Sequence, residues 1–215
     1  MVEVRAERAS KPLLVDRARA LVPPSGRSIL GITGPPGAGK STLTSALLAH
    51  LGSEVGHLPM DGFHLADAQL DRLGLRDRKG APETFDVDGY VSALSRLRSS
   101  DRTIYVPGFE RELEQPIAAA LAISPSARLV LTEGNYLLLP GDGWERVRPL
   151  LAEVWYVDVD DDIRRSRLID RHVQFGKSPD EAREWVRRSD EANARLVAAT
   201  RESADLVVDL SSIAG

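Results

Sequence analysis

One run of eight residues constrains this chain more than any other: Gly34-Pro35-Pro36-Gly37-Ala38-Gly39-Lys40-Ser41. Its spacing is G-x-x-x-x-G-K-[ST]. The short, β-branched stretch Ser28–Thr33 precedes it and reads as a buried strand; the helical stretch Lys40–Leu51 follows. The physics of such a run is specific. Glycines let backbone N–H groups turn inward around phosphate oxygens without a Cβ in the way. The loop feeds a helix N-terminus, where unpaired N–H groups and the positive dipole end favour an anion. Lys40 reaches the β- and γ-phosphates of a nucleotide, and the Ser41 hydroxyl suits Mg²⁺. Gly34, Pro35, Gly37, Ala38, Gly39, Lys40, Ser41 and Thr42 are therefore the expected nucleotide site.

The rest of the chain reads as alternating strands and helices. Residues 2–21 are expected to be helical and to end at Pro23-Pro24-Ser25-Gly26. His57–Met60, Thr103–Val106, Leu129–Thr132, Val154–Val159 and Leu206–Leu210 are strand candidates. Helices are expected over 87–98, with Asp86 as cap, over Trp144–Leu151, and over Ile163–Phe175. Ser178-Pro179-Asp180-Glu181 reads as a helix start with a capping box, the helix running to about Ser203. One short helix is expected within the polar stretch 62–86. This alternation argues for a parallel sheet with helices on both faces.

Composition removes whole classes. The chain has no cysteine, which excludes disulfides, a cysteine nucleophile and thiolate metal sites. Its net charge of −4 gives no global attraction to nucleic acid. No apolar run of about 18 residues exists, so no membrane span is expected. Glu3, Arg5, Glu7 and Arg8 stand where a signal peptide would be apolar, and a cytoplasmic location is the default. Of the 28 basic residues only Lys11, Lys40, Lys79 and Lys177 are lysines.

Ligands of parallel sheets sit beyond the carboxyl ends of strands. Asp61, opening Asp61-Gly62-Phe63-His64, and Glu133, after Leu129–Thr132, occupy such places. One carboxylate near Mg²⁺ and one near an acceptor hydroxyl is what phosphoryl transfer to an alcohol requires. Asp61 also suits a simple turn. His64 suits either substrate contact or a structural place. On the arginine-rich helix, Arg164, Arg167 and Arg171 fall within about 60° of one face. They could close over a transferring phosphoryl group, or they could be a solvated face paired with Asp160, Asp161, Asp162 and Asp170.

These residues resemble the branch of P-loop kinases that contains uridine kinase, phosphoribulokinase and type I pantothenate kinase. Asp61-Gly62-Phe63-His64 is similar to its acceptor-side motif, and Arg78–Asp86 to a segment near the substrate. Thr132–Leu139 resembles its second acidic motif. Pro107–Arg111, Phe175–Pro179 and Ser189–Ala194 resemble recurring segments of a small bacterial fructose-transport kinase-like subgroup. The resemblance implies a three-layer α/β/α P-loop NTPase fold over 1–215, with a parallel sheet and a helical lid near 160–178. It implies ATP and Mg²⁺, held in part by Ser41 and Glu133. It further implies Asp61 as base, and Lys40, Arg167 and Arg171 as catalytic cations. Asp61, His64, Arg78, Lys79, Arg111, Glu133 and Tyr136 are then the acceptor-side residues. The expected acceptor is a small metabolite carrying a hydroxyl: a sugar, a nucleoside or a pantothenate-like alcohol. A homodimer is allowed for; nucleic acid and membrane partners are not. No aromatic-rich pocket for a base is evident, since aromatics make up 5% of the chain. Two alternatives remain: a nucleotide-gated regulatory ATPase without an acceptor, and a nucleoside monophosphate kinase using Arg78 and Arg111 as a second phosphate site. The absence of an N-K-x-D guanine motif favours ATP.

Overall fold

A computed structural model describes residues 6, 7 and 11–210. In chain order the elements are β1 (Ala6–Glu7), α1 (Lys11–Ala20), β2 (Ser28–Thr33), α2 (Lys40–Leu51), β3 (Val55–Pro59), α3 (Asp67–Leu73), α4 (Val87–Ser99), β4 (Ile104–Glu110), β5 (Gln115–Ile123), β6 (Leu129–Glu133), β7 (Glu153–Asp158), α5 (Asp161–Gln174), α6 (Pro179–Trp185), α7 (Glu191–Ala198) and β8 (Leu206–Asp209). Six strands form one sheet in the order β1-β8-β7-β2-β6-β3, and every pairing in it is parallel.

Strand alternation divides the core in two. Ile29, Val130, Val154 and Tyr156 face a cluster completed by Leu94, Leu97, Trp144 and Tyr136. Leu30, Ile32, Leu131, Trp155 and Val157 face the opposite way, onto Leu14 and Ala18 of α1 and Leu43 and Leu47 of α2. Both faces are covered, as a parallel sheet requires. Because the strands run the same way, the loops after β2, β3, β6 and β7 emerge along one edge of the sheet. The chain is thus a three-layer α/β/α structure.

Local signals held where they were strong. Asp86 caps α4 by accepting from the Gly89 amide at 2.8 Å. Ser178 and Glu181 form the expected reciprocal capping box. Elsewhere the fold departs from expectation. Within the expected 2–21 helix, Ala6–Glu7 is instead a strand that pairs with Val207 and Val208 of β8; residues 1–5 and 8–10 lie outside the described residues. An exposed sheet edge satisfies those backbone groups before the helix begins at Lys11. Residues 144–151 make two short 3₁₀ turns rather than one helix. Pro149 has no N–H to donate, and its ring would collide with a carbonyl one turn back in an α-helix. The long C-terminal helix is interrupted by a π turn at Val186–Asp190 and ends in a 3₁₀ turn at Arg201–Ser203.

The largest departure is β4–β5, an antiparallel hairpin standing apart from the main sheet. Pro107 and Pro116 weaken the strand signal of both segments. The pairing slips between Val106 and Gly108, leaving Ala118–Ala120 opposite a single residue. The hairpin packs on the 3₁₀ turn Met60–Phe63 so closely that a Cβ at Gly62 would lie 2.4 Å from the Pro107 carbonyl oxygen. Glycine is required there for packing, and the contact sets the place of Asp61.

Candidate active site

The loop after β2 takes backbone angles that side chains avoid: φ is 149° at Gly34, 80° at Gly37 and 97° at Gly39. A Cβ at Gly34 would sit 2.6 Å from the Val157 carbonyl oxygen, and one at Gly37 would sit 2.8 Å from that of Arg164. The loop is therefore pressed against β7 and α5, and it ends in the N-terminus of α2. Lys40 Nζ donates to the Gly34 and Pro35 carbonyl oxygens at 2.9 and 3.0 Å. Desolvation lowers its pKa to about 8, against the opposing pull of Glu133 and Asp61.

Ser41 Oγ donates to Glu133 Oε2 at 2.8 Å, although the two residues are 92 positions apart. A hydroxyl and a carboxylate at the mouth of a phosphate loop fit Mg²⁺, which takes few protein ligands and completes its octahedron with phosphate oxygens and water. Ser41 and Glu133 would hold that ion, and the loop amides with Lys40 would hold the nucleotide phosphates. When bound, the ion would neutralise phosphate charge.

Asp61 lies in the 3₁₀ turn after β3, half-exposed, with Arg111 Nη2 3.9 Å from its carboxylate. His64 Nδ1 bonds the Asp61 carbonyl oxygen at 2.8 Å. Its ring packs between Phe85 and Phe109 in tilted contacts, with centroids 4.0 and 5.0 Å away. Burial lowers its pKa, so it favours the neutral form and acts as part of the wall.

Two cavities, each of about 570 Å³, meet at Gly37, Lys40, Ser41, Arg111 and Arg171. The first is bounded by Thr42, Leu43, Ala46, Leu14, Leu210 and Arg167, an apolar slot beside the phosphate loop. The second holds Asp61, His64, Lys79 and Glu133. Most expected site residues thus converge; Arg78 and Tyr136 line neither cavity, and Lys79 lines the second with its ammonium engaged. Arg78 is turned away to pair with Glu83, and Arg76 stands at the cavity instead, paired with Asp67. Lys79 lines the cavity, but its ammonium is engaged by Asp67 at 2.7 Å and by the Glu114 carbonyl oxygen. Tyr136 is fully buried behind the wall, its hydroxyl donating to the Gly80 carbonyl oxygen. Burial raises its pKa, which keeps it a donor.

The arginine helix resolves into distinct roles. Arg165 pairs with Asp161, Asp162 and Glu191 at the surface. Arg164 does not join Arg167 and Arg171: its side chain is 1% exposed, bonded to Asp161 and Glu191. It also donates to the Pro36 carbonyl oxygen of the loop at 3.4 Å. Sequence reasoning assigned no role to His172, Trp185, Asp190 and Asn193, and it missed the pocket's aromatic character. Phe85, Phe109, Phe175 and Trp185, four of the 11 aromatic residues, line the second cavity. Counting aromatics along the chain cannot show that they converge; the resemblance of 107–111, 175–179 and 189–194 to recurring segments was the available signal.

A phosphate cradle on a central strand of a parallel sheet, with Glu133 at the end of the next strand and Asp61 just past the edge strand beside it, defines a P-loop kinase. The chain belongs to the phosphoribulokinase / uridine kinase family, whose sequence profile matches residues 29–213. It is 33% identical over 207 residues to a Schizosaccharomyces pombe protein provisionally named a uridine kinase, covering 91% of this chain and 88% of that one. It is 35% identical to YggC of Escherichia coli, covering 95% and 87%. A solved structure from Silicibacter, provisionally named a fructose transport system kinase, superposes with a TM-score of 0.84 at 34% identity, covering 93% and 98%. YFH7 of Saccharomyces cerevisiae shares the fold, with a TM-score of 0.80 at 20% identity over 94% and 99%. The protein is an ATP-dependent kinase, a phosphotransferase. Among the described residues, no helix is long and apolar enough to cross a membrane.

Proposed function

We propose that this kinase moves the γ-phosphoryl group of ATP to a hydroxyl of a small metabolite. The observation that carries the reading is the junction of the two cavities at Lys40, Ser41, Arg111 and Arg171. A nucleotide laid along the cradle directs its terminal phosphate toward that junction, where Asp61 stands on the opposite side. The acceptor oxygen attacks the γ-phosphorus while the bond to the β–γ bridging oxygen breaks. The proton of the hydroxyl passes to the Asp61 carboxylate, and ADP leaves with the bond electrons. Lys40 and Arg171 face the charge that grows on the phosphoryl oxygens, and Arg167 and Arg171 serve as the cations of a closing lid. Ser41 and Glu133 would hold Mg²⁺, which would spread charge on the phosphates.

The aromatic lining and Arg111 suit a compact acceptor with both apolar and polar faces. The second cavity, with its own carboxylate, speaks for an acceptor rather than for hydrolysis alone. Arg78, paired with Glu83, is not placed to complete a second phosphate site with Arg111, which disfavours a monophosphate acceptor.

The test is ADP release with a panel of sugars, nucleosides and pantothenate-like alcohols. One class should raise turnover well above the rate with ATP alone. Asp61→Asn should lower that turnover by about 10²–10⁴-fold while nucleotide affinity holds. Turnover unchanged in the variant removes the base assignment; ATP consumption indifferent to every acceptor returns the regulatory ATPase reading.

A further inference from the structure

We propose that Asp190, Glu191 and Asn193 form one positioning latch that ties the phosphate loop and helix α5 to the acceptor-side loop 76–84. The inference rests on the kinase reading above. Asp190 closes the π turn Val186–Asp190 and the other two follow it; such turns often mark functional sites. Asp190 and Asn193 are 8% and 6% exposed. Buried polar side chains are costly unless each finds a partner, and here each partner belongs to a different part of the site.

Asp190 Oδ2 bonds His172 Nε2 on α5 at 2.8 Å. Glu191 accepts from Arg164 and, at 3.3 Å, from Arg165. Arg164 in turn holds the Pro36 carbonyl oxygen of the phosphate loop. Asn193 Nδ2 donates to the Gly80 carbonyl oxygen at 3.2 Å, the same oxygen that Tyr136 reaches from the sheet. One turn earlier, Arg188 lies 3.8 Å from Asp77. Within four residues the chain thus grips α5 twice, the phosphate loop through Arg164, and the acceptor loop directly. A displacement of α5 or the phosphate loop on nucleotide binding then reaches Gly80 through this segment. None of residues 78–84 lines the cavity beside the phosphate loop, and only Lys79 and Gly80 line the second, so protection that extends over 81–84 reports coupling rather than contact.

Hydrogen exchange of the full chain tests this with Mg²⁺ and a non-hydrolysable ATP analogue as probe. In the wild type the probe should slow amide exchange in both 34–41 and 78–84. Asn193→Ala should keep the protection of 34–41 and lose that of 78–84 by about fivefold or more, the lower end of usual coupling strengths. The Gly80 oxygen retains Tyr136 as donor, so the variant leaves no orphaned acceptor. Should it not fold, Asn193→Ser keeps a polar group with shorter reach and reads the same loss. Protection of 78–84 persisting in the variant overturns the latch. So does a wild type in which only 34–41 responds, or a coupling abolished by Tyr136→Phe but not by Asn193→Ala. A wild type with no protection of 34–41 overturns the kinase reading, and the latch with it.

Discussion

Lys40 should take up a proton when nucleotide binds, and the amount follows from its surroundings. With no nucleotide its pKa is about 8, because desolvation outweighs the attraction of Glu133 and Asp61. Nearby phosphate oxygens favour the charged form and raise the value again. Uptake approaches the neutral fraction of the free lysine, roughly 0.1 proton at pH 7 and roughly 0.5 at pH 8. Calorimetric titration with a non-hydrolysable ATP analogue and Mg²⁺, in two buffers of different ionisation enthalpy at each pH, measures this uptake. Lys40→Arg, whose guanidinium stays charged throughout, should abolish it. Uptake near zero at pH 8, or release of protons, refutes the reasoning. The same shift has a consequence for stability. The folded protein binds this proton less well than the unfolded chain does, whose lysine titrates near 10.5. The penalty is complete below pH 8 and is relieved as pH rises from about 8 to 10.5, with a slope of up to about 1.4 kcal/mol per pH unit.

Other substitutions follow from the same geometry. Gly34→Ala places a Cβ against the Val157 carbonyl oxygen at a φ that alanine avoids; urea unfolding should show a loss of about 1–3 kcal/mol or more. Glu191→Gln removes a charge that pairs with a guanidinium whose side chain is 1% exposed, and should cost about 3–5 kcal/mol. Pairing it with Arg164→Met should return a large part of that loss, a double-mutant cycle that fails if the two effects simply add. Arg171→Ala should lower turnover by about 10²–10³-fold with a smaller change in nucleotide affinity; equal loss in both would assign Arg171 to ground-state binding instead.

The relation between chain and site is uneven. Arg164, Arg167 and Arg171 share a helical face by arithmetic alone, yet Arg164 turns inward. Its partner Glu191 lies 27 positions on, and helix periodicity carries no record of that encounter. Lys79 and Tyr136 fall in the expected motifs. Their polar atoms serve the protein itself, gripping Asp67 and Gly80, and only packing reveals that. The aromatic pocket was invisible because Phe85, Phe109, Phe175 and Trp185 are scattered over 100 positions. The hairpin that carries Phe109 and Arg111 was half hidden by its prolines.

The sequence by itself determined the phosphate cradle, the strand and helix that frame it, and the capped starts of α4 and α6. Each depends on backbone angles and hydrogen bonds among residues a few positions apart, so the information is local. It also placed Glu133 and Asp61 at the carboxyl ends of strands, because parallel strands present those ends along one edge of the sheet. Tertiary structure alone decided which arginine is buried, which cations line the cavities, where the second cavity draws its rings, and how Asp190 and Asn193 reach His172 and Gly80. Those outcomes turn on desolvation and on partners distant in sequence, which come within hydrogen-bond reach only when the sheet, α5 and the acceptor loop have packed.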